Sequence, residues 1–348
     1  MSEIFQTLLP GNETIEQPRC AGAGRVLRVH SRRRDFVAGL PVAESESVQL
    51  GPGRGEYVSR RVCGRDLVIL SYKCEPKLAV HTVPEKSWVV LLMPLNERSE
   101  FVFNGRVARP FELFLSAGRD GYMTTGKDRV NMAIGIRKTR LISACAALAG
   151  IGAEDVGLRD LVLPPEQDTG RHLRHMLIGA ATPAEDKPLS QGQFALPEVL
   201  ENDLVSMLAA QLGPAVRSVP EVNLFRVDAL HVVRAATAAS KALPAASLAD
   251  LCEGAGVSQR WLHKCFVDVL GVSPYRYIRL ARLTRARDLL LAPDAKPALV
   301  KSISLSLGYR LSGRFAADYR SVYRENPSDT LGRPRKPEPA PLDRARGR

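Results

Sequence analysis

The chain has 348 residues, 45% of them apolar and 25% charged, with 49 Lys and Arg against 37 Asp and Glu for a net charge of +12. That length accommodates two domains, and the composition is that of a globular protein with a sizeable core. The longest apolar runs, such as 88–93, fall far short of the roughly 20 residues that span a bilayer, which excludes a transmembrane helix. Residues 1–20 are polar and contain Pro10 and Pro18, so they do not read as a signal peptide. The six cysteines form no CxxC pair, and a reducing, cytoplasmic setting fits them better than a disulfide scaffold.

Along the chain, residues 1–20 read as a loose arm. The basic stretch from Arg25 through Arg32-Arg33-Arg34 reads as an exposed loop rather than a DNA contact. Residues 55–137 carry short β-like runs. The segment 58–62 has apolar ends only, whereas 66–71, 87–93, 100–103, 111–115 and 129–136 are clearer strands. Turn residues separate them at Asn104-Gly105, at 117–121 and at 125–128, and Asn-Gly between two apolar runs is a strong hairpin signal. Short, regularly spaced strands predict an antiparallel sandwich or barrel. The period then becomes helical: 140–149 ending at Gly150, 170–181, and 196–212 after the loop 182–188. The stripe Val199, Leu200, Leu204, Met207, Leu208 and Leu212 serves either the core or a subunit contact. Gly213 through Pro220, with two prolines and a glycine in eight residues, is the expected domain boundary.

Beyond it, 223–242 reads as a helix. Ser247 looks like an N-cap with Asp250 in the first turn, and Gly256 ends that helix. Ser258 caps a second helix that stops at Gly271. In it Leu262, Cys265, Phe266 and Val269 follow i, i+3, i+4, i+7 and form the buried face. Gln259, Arg260, His263 and Lys264 lie on the other side. Arg and Lys can donate to guanine O6 and N7, and Gln can pair with adenine. Ser273-Pro274 opens a long helix on which Arg276, Arg279, Arg282 and Arg285 recur every third residue, either meeting phosphates or forming a solvated stripe. A second helix–turn–helix pattern follows at 300–319, with Gly308 at its turn. Two such units joined by one helix can sit in successive major grooves, which points to sequence-specific DNA binding. The charge agrees: 243–332 carries 13 Lys and Arg against 8 Asp and Glu, and 333–348 carries 6 against 2, so nine of the twelve net charges lie in the last 106 residues. Residues 333–348, with Pro337, Pro339 and Pro341 among basic residues, read as a disordered basic tail.

From about 224 to 332 the chain resembles the AraC/XylS family of bacterial transcription regulators. The matching pieces are Ser247-Leu-Ala-Asp-Leu251, Gly256-Val-Ser258, Leu262 with Phe266, Leu270-Gly-Val-Ser-Pro-Tyr275, Arg282-Leu-Thr-Arg-Ala-Arg287, Ile303, Gly308-Tyr309, Gly313-Arg-Phe315, Tyr319 and Pro327. The resemblance implies two helix-turn-helix subdomains on a linker helix, bound to double-stranded DNA. It puts base contacts on Gln259, Arg260, His263 and Lys264. In the second unit the outward positions Ser312, Gly313, Ala316 and Ala317 are small. Ser312 and Gly313 complete the expected base-facing set, and Arg276, Arg279, Arg310, Arg314 and Arg320 are the expected phosphate contacts.

The β-rich half is similar, more weakly, to the cupin-like sensory half of the same family, which implies effector binding or dimerisation. The expected fold is therefore α+β: a cupin-like β-barrel with added helices (1–212, β-rich over 55–137 and helical over 138–212), a linker (213–222), an all-helical DNA-binding domain (223–332) and the tail. The expected protein is a cytoplasmic, homodimeric regulator and not an enzyme. More often than not such regulators activate, contacting RNA polymerase and responding in some cases to a small effector. No cofactor or metal is expected, since His81 stands alone among the strands and His172 with His175 lacks further ligands nearby. Two alternatives are a cupin-type metal enzyme and a DNA-repair protein, each fused to a DNA-binding module. Missing ligand clusters disfavour both.

Overall fold

The computed structural model describes residues 26–30, 40–54, 57–95, 100–117, 121–164, 168–181, 196–217, 227–292 and 299–332. The expected arm, the arginines at 32–34, the loop at 182–188 and the basic tail lie outside the described residues.

The N-terminal half holds two antiparallel sheets. One runs, in spatial order, β1 (Val26–His30), β3 (Tyr57–Cys63), β4 (Leu67–Cys74), β11 (Arg129–Arg137), β6 (Trp88–Pro94), β9 (Leu113–Ser116) and β12 (Leu161–Leu163). The other runs β2 (Val42–Gln49), β5 (Leu78–Pro84), β10 (Tyr122–Lys127), β7 (Glu100–Phe103) and β8 (Arg106–Val107). Helices α1 (Lys138–Ala149), α2 (Asp168–Ala181) and α3 (Glu198–Arg217) cover the larger sheet.

Strand alternation sorts the cores. On β11, Met132, Ile134 and Ile136 turn toward the helices, joining Leu141, Leu177 and Leu204 in one cluster. Ala133 turns the other way, into a second cluster between the sheets with Leu70, Tyr72, Leu92, Phe103, Phe114 and Tyr122. The outer face of the smaller sheet meets the C-terminal helices: Leu50, Ala79 and Met123 belong to the same buried cluster as Phe266, Leu283 and Tyr323. The order is thus helices, sheet, sheet, helices. β4, β6 and β11 are buried on both faces, which is why they read as continuous apolar runs.

The hairpin expected at Asn104-Gly105 is present. Both residues have positive φ, 47° and 80°, between the paired Phe103 and Arg106, as a two-residue primed turn requires. The expected barrel is not closed: the strands form two separate sheets, edged by β1 and β12 in one and by β2 and β8 in the other. The linker assigned to 213–222 also changes. α3 runs through Gly213-Pro214 to Arg217, with residues 218–226 outside the described set. Burial of Leu204, Val205, Leu208, Ala209 and Leu212 holds the preceding turns, so the helix carries on past the proline, which falls in its last turn and forgoes one backbone bond. The same burial puts Leu204, Leu208 and Leu212 of the helical stripe in the core, whereas Val199 is 74% exposed.

Gly126 holds the corner from β10 to β11. A Cβ built there would stand 1.8 Å from the Glu100 carbonyl oxygen and 2.8 Å from Arg129 Cδ. Gly126→Ala is therefore expected to destabilise by more than about 1 kcal/mol, read from the urea midpoint. An unchanged midpoint would mean that β10 and β7 can part at that point without loss.

Candidate nucleic-acid interface

The C-terminal domain is helical throughout its described residues: α4 (Val227–Ala242), α5 (Leu248–Ala255), α6 (Gln259–Leu270), α7 (Pro274–Leu290), α8 (Leu299–Ser306), α9 (Ser312–Tyr323) and α10 (Pro327–Leu331). Its first unit folds as its local signals direct. The Ser247 hydroxyl accepts from the Asp250 amide while the Asp250 carboxylate accepts from the Ser247 amide, a reciprocal cap. The Ser247 hydroxyl and the Ser247 amide both donate to the Asp250 carboxylate and hold it below its ordinary range. Gly256 (φ 63°) turns the chain, Ser258 accepts from the Trp261 amide, and Gly271 (φ 68°) ends α6.

Leu262, Cys265, Phe266 and Val269 are buried on α6, and Gln259, Arg260, His263 and Lys264 are all exposed. The structure therefore brings the four expected base-reading side chains together on one short solvent-facing stretch beginning at the N-terminus of α6. Trp261, 40% exposed, sits beside them, with the Lys264 ammonium 5.3 Å from its ring centre. That stacking draws Lys264 to one flank of the helix.

In the second unit Phe315, Tyr319, Val322 and Tyr323 of α9 are buried with Ile303 and Leu307. Gly308 (φ 80°) makes the turn, and Leu311, at the N-cap of α9, gives no side-chain cap. Ser312, Gly313 and Arg314 are exposed at the start of α9, with nothing within 4 Å of a Cβ built on Gly313. Arg310 and Arg320 are exposed as well.

The linker helix α7 differs from its expected role. Arg276 is exposed, but Arg279 gives Nε (2.9 Å) and Nη2 (2.5 Å) to the two oxygens of Asp318 on α9. Arg282 Nη2 donates to the carbonyls of Ala245 (3.1 Å) and Ala246 (2.8 Å), just before the cap of α5. Arg285 donates to the Lys241 carbonyl at 3.4 Å. Arg287 is buried, with Nη1 2.6 Å from Glu325 and its guanidinium 4.4 Å from the Tyr323 ring centre. Arg279, expected at a phosphate, is exposed and gives two of its donors to a carboxylate, which ties α7 to the second unit. Burial and the Asp318 charge push the Tyr309 hydroxyl, which donates to the same carboxylate, up to about 12. Asp318 gave no signal in the sequence, because its partner lies 39 residues away.

Two helix-turn-helix units on one linker helix, with basic and amide side chains exposed on the second helix of the first unit, define a DNA-binding domain. Comparisons with known proteins give the family of that domain. A helix-turn-helix domain model matches residues 251–333. The XylDLEGF operon transcriptional activator of Pseudomonas putida is 41% identical over 85 residues, 24% of this chain and 26% of that protein. The transcriptional activator NphR of Rhodococcus sp is 28% identical over 142 residues, 41% of this chain and 40% of that protein. The AraC-like transcriptional activator CuxR aligns over 76% of this chain and 95% of its own, at 16% identity and a TM-score of 0.40. Residues 251–333 are an AraC/XylS-type helix-turn-helix domain, a type that binds double-stranded DNA. The match spans about a quarter of the first of these relatives.

A double-mutant cycle on Arg279→Ala and Asp318→Ala is expected to give a coupling energy of about 1–2 kcal/mol in urea unfolding. Additive losses would show that the pair does not join the linker helix to the second unit.

Proposed function

We propose that the chain is a sequence-specific transcriptional regulator of the activating kind, with residues 223–332 binding DNA and residues 1–212 sensing an effector or dimerising. The observation that carries this reading is the exposed set Gln259, Arg260, His263 and Lys264 on α6, opposite a buried stripe. The first unit supplies most base discrimination. In the second, Ser312 and Gly313 leave room for close approach to the groove, and Arg310, Arg314 and Arg320, with Arg276 on the linker helix, grip phosphates. Arg279 is a positioning residue. RNA polymerase is the expected partner of an activator.

The N-terminal half takes a cupin-like sensing role in this reading, and its position supports one. The Gln49 amide donates to Thr284 Oγ1 at 3.2 Å, the Gly53 amide to the Val322 carbonyl at 2.9 Å, and Arg234 Nη2 to the Gly121 carbonyl at 2.5 Å. Lys241 pairs with Glu46 across the same seam. These contacts reach both helix-turn-helix units and the linker helix, so a change in the sheets has a direct route to the DNA-binding surface. A cavity of about 680 Å³ opens along the seam, lined by residues that include Glu44, His81, Lys241, Tyr277 and Arg285. The alternatives, a metal enzyme or repair protein, would need ligand clusters. Among the described residues His81 is on β5 and His172 and His175 are on α2. The chain has no described helix long and apolar enough to cross a membrane.

Footprinting the full chain on genomic DNA tests the proposal. Discrete sites are expected, with Arg260→Ala relaxing preference at one base position by about 1–3 kcal/mol. Arg314→Ala should weaken all sites alike and lower the salt dependence. Diffuse binding only would overturn the regulatory reading, and a changed base preference in Arg314→Ala would overturn the division of labour.

A further inference from the structure

The outward face of α6 continues beyond its four polar residues. At about 100° per residue, Arg260, His263, Lys264 and Val267 fall within an arc of about 100°, with Val267 close to its midline. Their spacing is i, i+3, i+4 and i+7. The buried Leu262, Cys265, Phe266 and Val269 repeat that spacing on the opposite side. Val267 is 45% exposed and points directly away from the core. Trp261, the other large apolar residue exposed on this helix, is turned about 100° from Arg260 and lies on the flank. Helices that read a major groove along their length present base-contacting side chains at this i, i+3, i+4, i+7 spacing.

The fold does not call for a valine at this position. Val267 stands outside the buried cluster that holds Leu262, Cys265, Phe266 and Val269. A β-branched residue is also a poorer helix former than the straight-chain polar residues suited to an exposed helix position. The turn that carries it is backed from behind by the smaller sheet. A Cβ built on Gly105, in the turn between β7 and β8, would stand 3.6 Å from Val269 Cγ2, and one built on Gly271 would stand 3.4 Å from Lys77 Nζ. The last turn of α6 is therefore supported on its inner side while Val267 stays open on its outer side.

We propose that Val267 is a specificity-determining residue that packs on the C5 methyl of a thymine in the major groove. That methyl is the apolar group a base pair presents there, and a side chain without donor or acceptor gains only from it. A guanine O6 or a cytosine amino group at the same place would lose water against the valine and receive no hydrogen bond in return. Arg260 and Lys264 flank Val267 with the positive charge that a duplex attracts. Seven residues at about 1.5 Å each separate Val267 from Arg260 by about 10 Å. With α6 along the groove, the thymine lies about two to four base pairs from the base that Arg260 reads. The inference rests on the reading of α6 as the base-reading helix given above, and adds an apolar contact to its four polar ones.

The test uses the full chain and duplexes carrying one footprinted site, in which each thymine in turn is replaced by deoxyuridine, which lacks only the C5 methyl. Binding is read by fluorescence anisotropy. One replacement, about two to four base pairs from the position that Arg260→Ala relaxes, is expected to weaken binding about fourfold, the worth of one buried methyl. Val267→Ala should bind the thymine and deoxyuridine duplexes alike at that position and leave every other position as in the parent. Its urea midpoint should be unchanged or higher, since alanine is the better helix former. A lower midpoint would mark Val267 as a packing residue and overturn the proposal. So would a scan in which no thymine is sensitive, a sensitivity that survives Val267→Ala, or a variant that weakens every duplex equally, the sign of a sugar or phosphate contact. The footprint separates this inference from the reading beneath it. Discrete sites without a Val267-dependent thymine refute only the inference, whereas diffuse binding refutes the regulatory reading and the inference with it.

Discussion

One helix has to serve both helix-turn-helix units. α7 buries nine of its seventeen residues, among them Ile278 and Leu280, Leu283 and Thr284, Ala286 and Arg287, so they occupy nearly its whole circumference. A helix in that position cannot be amphipathic, and its polar side chains must find partners on the elements around it. Arg279, Arg282 and Arg287 do so, on Asp318, on the Ala245 and Ala246 carbonyls and on Glu325. The relative placement of the two helix-turn-helix units follows from these three attachments and the apolar residues between them.

The same constraint shows where sequence reasoning runs out. An arginine every third residue looks the same in sequence whether it meets a phosphate or a carboxylate 39 positions away. The first unit was readable to the residue because its determinants are local: Ser247 with Asp250, Gly256, Ser258, and a buried stripe at helical spacing. The continuous runs of β4, β6 and β11 were readable because both faces of each strand are buried. β2 was not. Its Val-Ala-Glu-Ser-Glu-Ser-Val-Gln sequence is polar because Glu46 answers Lys241 from the other half of the chain, while Val48 packs against the C-terminal core. β10, read partly as turn, hides a strand whose Thr124 and Thr125 are both buried. The helix end at Arg217 was missed because Gly-Pro is a reliable local stop only where tertiary packing does not hold the preceding turns.

The exposed polar set on α6 was legible for a simpler reason. Four polar residues opposite four apolar ones on a twelve-residue helix leave few other arrangements, and the structure exposes all four. Trp261 was harder to place. It is neither in the core nor fully in solvent, and Lys264 lies over its ring.

The wall shared by the smaller sheet and the C-terminal helices also bears on modularity. Leu50, Ala79 and Met123 are as much part of the DNA-binding core as Phe266, and the Val322 carbonyl is satisfied by Gly53 from the other half. Recombination between relatives at the domain boundary would break those contacts even when each half is intact. Grafting a foreign sensor onto this DNA-binding domain therefore requires the segments at 42–54, 78–84 and 121–123 to travel with it.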